Sequence, residues 1–151
     1  ILQVPFVNAA FWMIPIHVLQ KVGGFCPLFY HYGEDKDFVN RLHYHQYQVG
    51  YSPQVFGNHD REYRPLTHEG FLRTESVYHL SEYVNINHPW LKAFGYGVLA
   101  VMKKALASLI SGKFQLSKDY LRMGFQLLSR STEIQSYRKI NRLSQPHYIQ
   151  K

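Results

Sequence analysis

Three carboxylates fall within four positions in the stretch Phe29-Tyr30-His31-Tyr32-Gly33-Glu34-Asp35-Lys36-Asp37-Phe38. A carboxylate that stays ionised at neutral pH can take a proton from a hydroxyl, so general-base chemistry is what this cluster suggests. Gly33 supplies a turn, and the apolar-periodic run Phe38, Val39, Leu42 and Tyr44 or His45 starts a helix just after it. The positive end of that helix would keep Glu34 or Asp35 charged. The plainer reading is that these are capping and first-turn acids with no chemistry of their own, and the cluster alone does not decide between the two.

The neighbouring segments must hold that helix start in place. Val4-Pro5-Phe6-Val7 and Ala10-Phe11-Trp12-Met13-Ile14 are rich in aromatic and branched residues and bounded by Pro5 and Pro15, which predicts extended chain. Pro15 at a first helical position, followed by Ile16, Val18, Leu19 and Val22, predicts a short amphipathic helix that Gly23-Gly24 stops. The acidic helix runs from Asp35 to about Gln46. Beyond it, Gln48 to Tyr51 and Gln54 to Phe56 read as short strands separated by Ser52-Pro53, with His59 following. Cys26, the single cysteine, has no evident base partner and reads as a small apolar filler. His43 and His45 form H-x-H on a helix, which splays the rings apart, and with His31 they read as surface or partly buried residues.

In order along the chain come Asn8-Ala9-Ala10, Val22-Gly23-Gly24-Phe25, Phe29 through Phe38, Arg41-Leu42, Val49-Gly50-Tyr51, Pro53 and His59. This succession resembles the second, acceptor-side half of the catalytic domain in family-two glycosyltransferases of the GT-A fold. A looser likeness to the helical tails of the same enzymes runs from His88 to about Arg130.

The resemblance implies an inverting transfer of a sugar from a nucleotide-sugar donor to a saccharide or lipid-linked hydroxyl, in cell-surface polysaccharide or glycan synthesis. It implies Asp35 as the general base, since Asp35 occupies the E-D position, and Glu34 as its neighbour, shaping the site or touching the acceptor. Asn8, Trp12, Tyr32, Gly33 and Arg41 are the implied substrate-binding residues. Trp12 reads equally as a core tryptophan, and Asp37 as a helix-turn acid with a structural task. His59 is the implied contribution to a divalent cation, Mg²⁺ or Mn²⁺, in the intact enzyme. Asp35-Lys36-Asp37 is itself a D-x-D string of the kind that holds such a cation, but residues two apart on a helix point about 200° away from each other. In the resembling enzymes the metal-binding D-x-D closes the first half of the fold. With that half missing, the 151 residues should not retain the cation and should bind nucleotide-sugar weakly and be inactive by themselves.

The fold class expected is therefore α/β, a partial GT-A, Rossmann-like half, over residues 1 to 62, followed by an all-α extension over 63 to 151. The chain opens on Ile1 without an initiating Met and reads as a piece of a longer protein. A half-sheet would leave an apolar edge exposed or paired with another copy, a homo-oligomer.

The second half is helical by periodicity. Leu66 to Tyr83, Trp90 to Ser111 and Phe114 to Ser129 carry amphipathic runs broken at Asn85-Ile86-Asn87-His88-Pro89 and at Gly112. Ser131 to Lys151 reads as a fading helix and a loose tail. Ala93 to Met102 is uncharged but is interrupted by Lys103-Lys104, too short a run to span a bilayer. It reads either as a helix docked on the core or as a basic amphipathic helix on anionic lipid. Seventeen Lys and Arg against ten Asp and Glu leave a net charge of +7. That balance suits an anionic membrane surface, phosphorylated substrates or nucleic acid. The enzyme reading places the chain in the cytoplasm, peripheral on the inner face of the membrane, with no nucleic-acid partner. The competing reading is a non-catalytic basic helical module that binds nucleic acid or an anionic membrane surface.

Overall fold

The structure is a computed structural model that describes residues 1–58, 65 and 67–149. Its only sheet among those residues is a two-stranded antiparallel ladder of β1 (Leu2–Val4) and β2 (Val49–Tyr51), with Leu2 opposite Tyr51, Gln3 opposite Gly50 and Val4 opposite Val49. The other regular elements are helical: α1 (Ile16–Val22), α2 (Glu34–Tyr44), α3 (His68–Val84), α4 (Trp90–Phe94), a π-helical turn (Gly95–Leu99), α5 (Ala100–Ile110), α6 (Phe114–Ser129) and α7 (Ser131–Asn141).

The α/β class expected from the sequence, a Rossmann-like GT-A half, is therefore corrected: the protein is mostly helical. Strand propensity expresses itself only where a neighbouring strand supplies the paired N–H and C=O groups. Of the segments outside β2 that read as extended, only Val4 of Val4–Val7 and none of Ala10–Ile14 or Gln54–Phe56 finds such a neighbour here. Trp12 and Ile14 instead turn their side chains onto α1 and α2, joining Leu19, Leu42 and Tyr47 around Val18, Val22 and Phe38 in a small core. Val55 and Phe56 lie exposed.

The larger core is built around α3, where Tyr83 and Val84 are fully buried. Thr67 starts this helix by accepting the Gly70 N–H at 3.0 Å, satisfying one of the orphan donors of the first turn. Around it pack Ala93, Val98, Val101 and Ala105 from the 90–110 helix, Tyr120, Met123 and Leu127 from α6, and Ile134 from α7. Cys26, Leu28 and Phe29 join the same cluster, so the loop before the acidic helix is seated on the helical half. Gly97 lies at the closest crossing: a Cβ there would stand 2.5 Å from Tyr83 Cβ, so only glycine lets the π-helical turn meet α3. The π-helical turn also exposes the Tyr96 carbonyl sideways, and His79 Nδ1 bonds to it at 2.8 Å.

The C-terminal segment is not the loose tail its composition suggested. Arg138 on α7 is buried and donates to the carbonyls of Tyr83, Asn85 and His88 at 3.1, 2.5 and 2.6 Å, closing the end of α3. Beyond α7 the chain returns to the first helix, where the Gly24 N–H donates to the His147 carbonyl at 2.8 Å. A Cβ on Gly23, whose φ is +82°, would collide with His147, which makes both the backbone angle and the contact depend on glycine.

Candidate functional site

The acidic turn is shaped by two successive residues with positive φ, Tyr32 at 69° and Gly33 at 90°. For Gly33 the conformation is permitted, and a Cβ would in addition stand 2.7 Å from Val77 Cγ1 and 2.9 Å from Phe29 Cδ1. For Tyr32 it is strained, costing on the order of 1 kcal/mol, and such strain gathers at functional turns. The chain needs it to leave the buried Leu28-Phe29 pair and enter α2 within four residues.

Gly33 is the N-cap of α2, and Glu34, Asp35 and Asp37 follow in its first turn. The three acids then separate. Asp37 turns inward, wholly buried, and its Oδ2 accepts from Arg41 Nε at 2.8 Å. Burial pushes its carboxyl above the usual range, opposed by the Arg41 guanidinium. Asp35, about 200° round the helix from Asp37, is half-buried, and its Oδ1 accepts the Lys36 N–H at 2.7 Å. Glu34 is half-buried too, and its Oε2 is inaccessible to solvent without a hydrogen-bond partner among the described residues.

Of the residues the resemblance implied, Tyr32, Gly33, Glu34 and Asp35 form one continuous turn. Arg41 does not join them. It is fully buried, with Nε on Asp37, Nη1 on the Val22 carbonyl at 2.7 Å and Nη2 on the Gly24 carbonyl at 2.7 Å, so it locks the end of α1 to α2 and offers no surface to a substrate. Trp12 packs against Phe25 and Phe38 with ring centroids 6.3 and 5.8 Å away, and its Nε1–H donates to the Asn8 carbonyl at 3.1 Å. The core reading of Trp12 thus describes its ring face. Asn8 is exposed. His59 lies outside the described residues.

Sequence reasoning missed what holds the turn against α3. Lys36 reaches across to Glu82 Oε1 at 2.7 Å and lies 4.6 Å over the Tyr78 ring, and Glu82 Oε2 stands 3.5 Å from His88 Nε2. No local pattern could have signalled a pair separated by 46 positions. Cys26 is the filler its surroundings suggested: burial and then Asp37 push its thiol up to about 12, far from a thiolate at neutral pH.

The same donor set bears on the cation implied by the resemblance. Among the described residues no group of three or more His, Cys, Asp or Glu side chains is arranged to hold a metal ion, Asp37 is committed to Arg41, and Asp35 points away from it. The described residues thus do not by themselves fit a cation, and His59, the implied ligand, lies outside them. Comparison with family models, with curated proteins and with solved structures found no match in any of the three.

Proposed function

We propose that the Tyr32–Asp37 turn carries the general base of an inverting glycosyl transfer: Asp35 takes the proton of an acceptor hydroxyl as its oxygen bonds to the anomeric carbon of a nucleotide-sugar and the bond from that carbon to the nucleoside diphosphate breaks, the diphosphate leaving with the electron pair. The observation that carries this reading is the division of labour among the acids: Asp37 is withdrawn into a buried pair, while Glu34 and Asp35 remain at the positive end of α2 on a strained turn. A helix start favours the ionised carboxylate that a base requires. Glu34, half-buried beside Asp35 in the same turn, shapes the site for the acceptor, a saccharide or lipid-linked hydroxyl. The order of motifs around the turn, from Asn8 to His59, supports the same reaction class. The test is Asp35→Asn in the complete protein, read as turnover against donor affinity. A base acts only in the chemical step, so the two should part.

A further inference from the structure

The helix running from Trp90 through Ile110 is 21 residues long and apolar enough to cross a membrane by length and composition, yet only 33% of its most apolar window is buried in the protein. Its inward side is settled: Val98, Val101 and Ala105 are buried, and Lys104 is paired with Glu75 of α3. Leu99, Leu106 and Ile110, at helical spacings of seven and four, lie on the opposite side with exposures of 55%, 58% and 79%. α6 has the same division. It buries Tyr120, Met123 and Leu127, and leaves Phe114, Leu121, Phe125 and Leu128 exposed along one stripe.

The two stripes belong to one face. Each helix turns one flank to α3, through Lys104 and Tyr120 on Glu75, and the other flank to its partner. Between them Ser117 Oγ donates to the Ala105 carbonyl and Gly124 fits against Met102. The apolar residues left over lie beyond that seam, on the side of the α5–α6 hairpin away from α3.

We infer that this face of the α5–α6 hairpin rests on an anionic lipid bilayer surface, with Leu106, Ile110, Phe114 and Phe125 entering the interface. The charge decides for lipid. From residue 90 to 130 the cations are Lys92, Lys103, Lys104, Lys113, Lys118, Arg122 and Arg130, and the one acid is Asp119. Asp119 is 11% exposed and faces His68, while Lys103, Lys113, Lys118 and Arg122 are exposed along the hairpin. Apolar stripes interleaved with cations are what an interfacial helix presents to anionic headgroups. A second copy docking on the same face would bring like charges together, which disfavours it.

The test is flotation of the full chain with phosphatidylcholine vesicles and with vesicles containing about a third phosphatidylglycerol. Binding to the anionic vesicles should exceed that to the neutral ones by about tenfold or more and fall as salt rises. Lys103→Gln with Lys118→Gln should weaken it about 25-fold, roughly fivefold for each cation removed. Phe125→Asp should abolish flotation, and because both sets of positions are exposed, unchanged far-ultraviolet circular dichroism checks that the helices persist. Equal binding to both vesicle types, no binding to either, or indifference to these substitutions would overturn the inference. So would a concentration-dependent dimer that Phe125→Asp dissolves, because the face would then be covered by protein.

Discussion

Asp37 and Arg41, one helical turn apart on α2, form an ion pair with no access to solvent, and the rest of the Arg41 guanidinium is spent on the carbonyls of Val22 and Gly24. An acid in an exposed first turn contributes about 1 kcal/mol or less through the helix dipole. Removing one partner of a buried pair leaves an uncompensated charge and costs about 3 to 5 kcal/mol. Asp37→Asn should therefore lower stability by about 3 kcal/mol in chemical denaturation. A loss near that of a surface acid would show that water reaches the pair.

Gly33→Ala should destabilise by about 2 kcal/mol or more, because alanine resists the positive φ and its methyl group would strike Val77 and Phe29. It should also disturb the orientation of Glu34 and Asp35. Denaturant melting of the variant checks the first effect. A stability change within a few tenths of a kcal/mol would mean the turn is free to relax.

The contact between Lys36 and Glu82 ties the same turn to α3, but Lys36 is about a third exposed. Lys36→Met should cost no more than about 1 kcal/mol, since water screens such pairs. Loss of several kcal/mol on melting would contradict that weighting.

His147 gives the protein an acid sensitivity. Burial, with Arg41 and His45 nearby, lowers its imidazole from 6.5 to about 4. A depressed histidine contributes stability above its unfolded value, and that contribution is lost as pH falls from about 6.5 to about 4. The full shift corresponds to about 3 kcal/mol, but water screens the half-buried imidazole, so the loss should be on the order of 1 to 2 kcal/mol across that window. The difference between the native chain and His147→Gln isolates it from Asp37, whose raised carboxyl acts with the opposite sign. If both proteins lost stability in parallel between those pH values, another group would be responsible.

The helical half was largely legible in the sequence, because apolar periodicity and the breaks at Asn85–Pro89 and Gly112 are local signals. The helix starting beside Gly33 was legible for the same reason. Of the sheet, the strand at Val49–Tyr51 was legible, but its pairing with Leu2–Val4 was not: Val4–Val7 and Ala10–Ile14 carry strand-forming residues, and pairing depends on a partner that a segment does not name. Nor was the split among the three acids evident, since it rests on Arg41 reaching the carbonyls of Val22 and Gly24, a contact fixed only when α1 and α2 pack. The docked tail depends similarly on Gly23 and Gly24 meeting His147, more than a hundred residues away in the chain.

Whether Asp35 is a base is decided by turnover and donor affinity of Asp35→Asn, measured with Glu34→Gln and the native protein alongside. Turnover of Asp35→Asn should fall about 10²-fold or more, the usual scale for loss of a general base, while donor affinity stays within about twofold. Near-normal turnover of Asp35→Asn beside an inactive Glu34→Gln would move the base to Glu34. Near-normal turnover of both would contradict a catalytic role for this turn altogether.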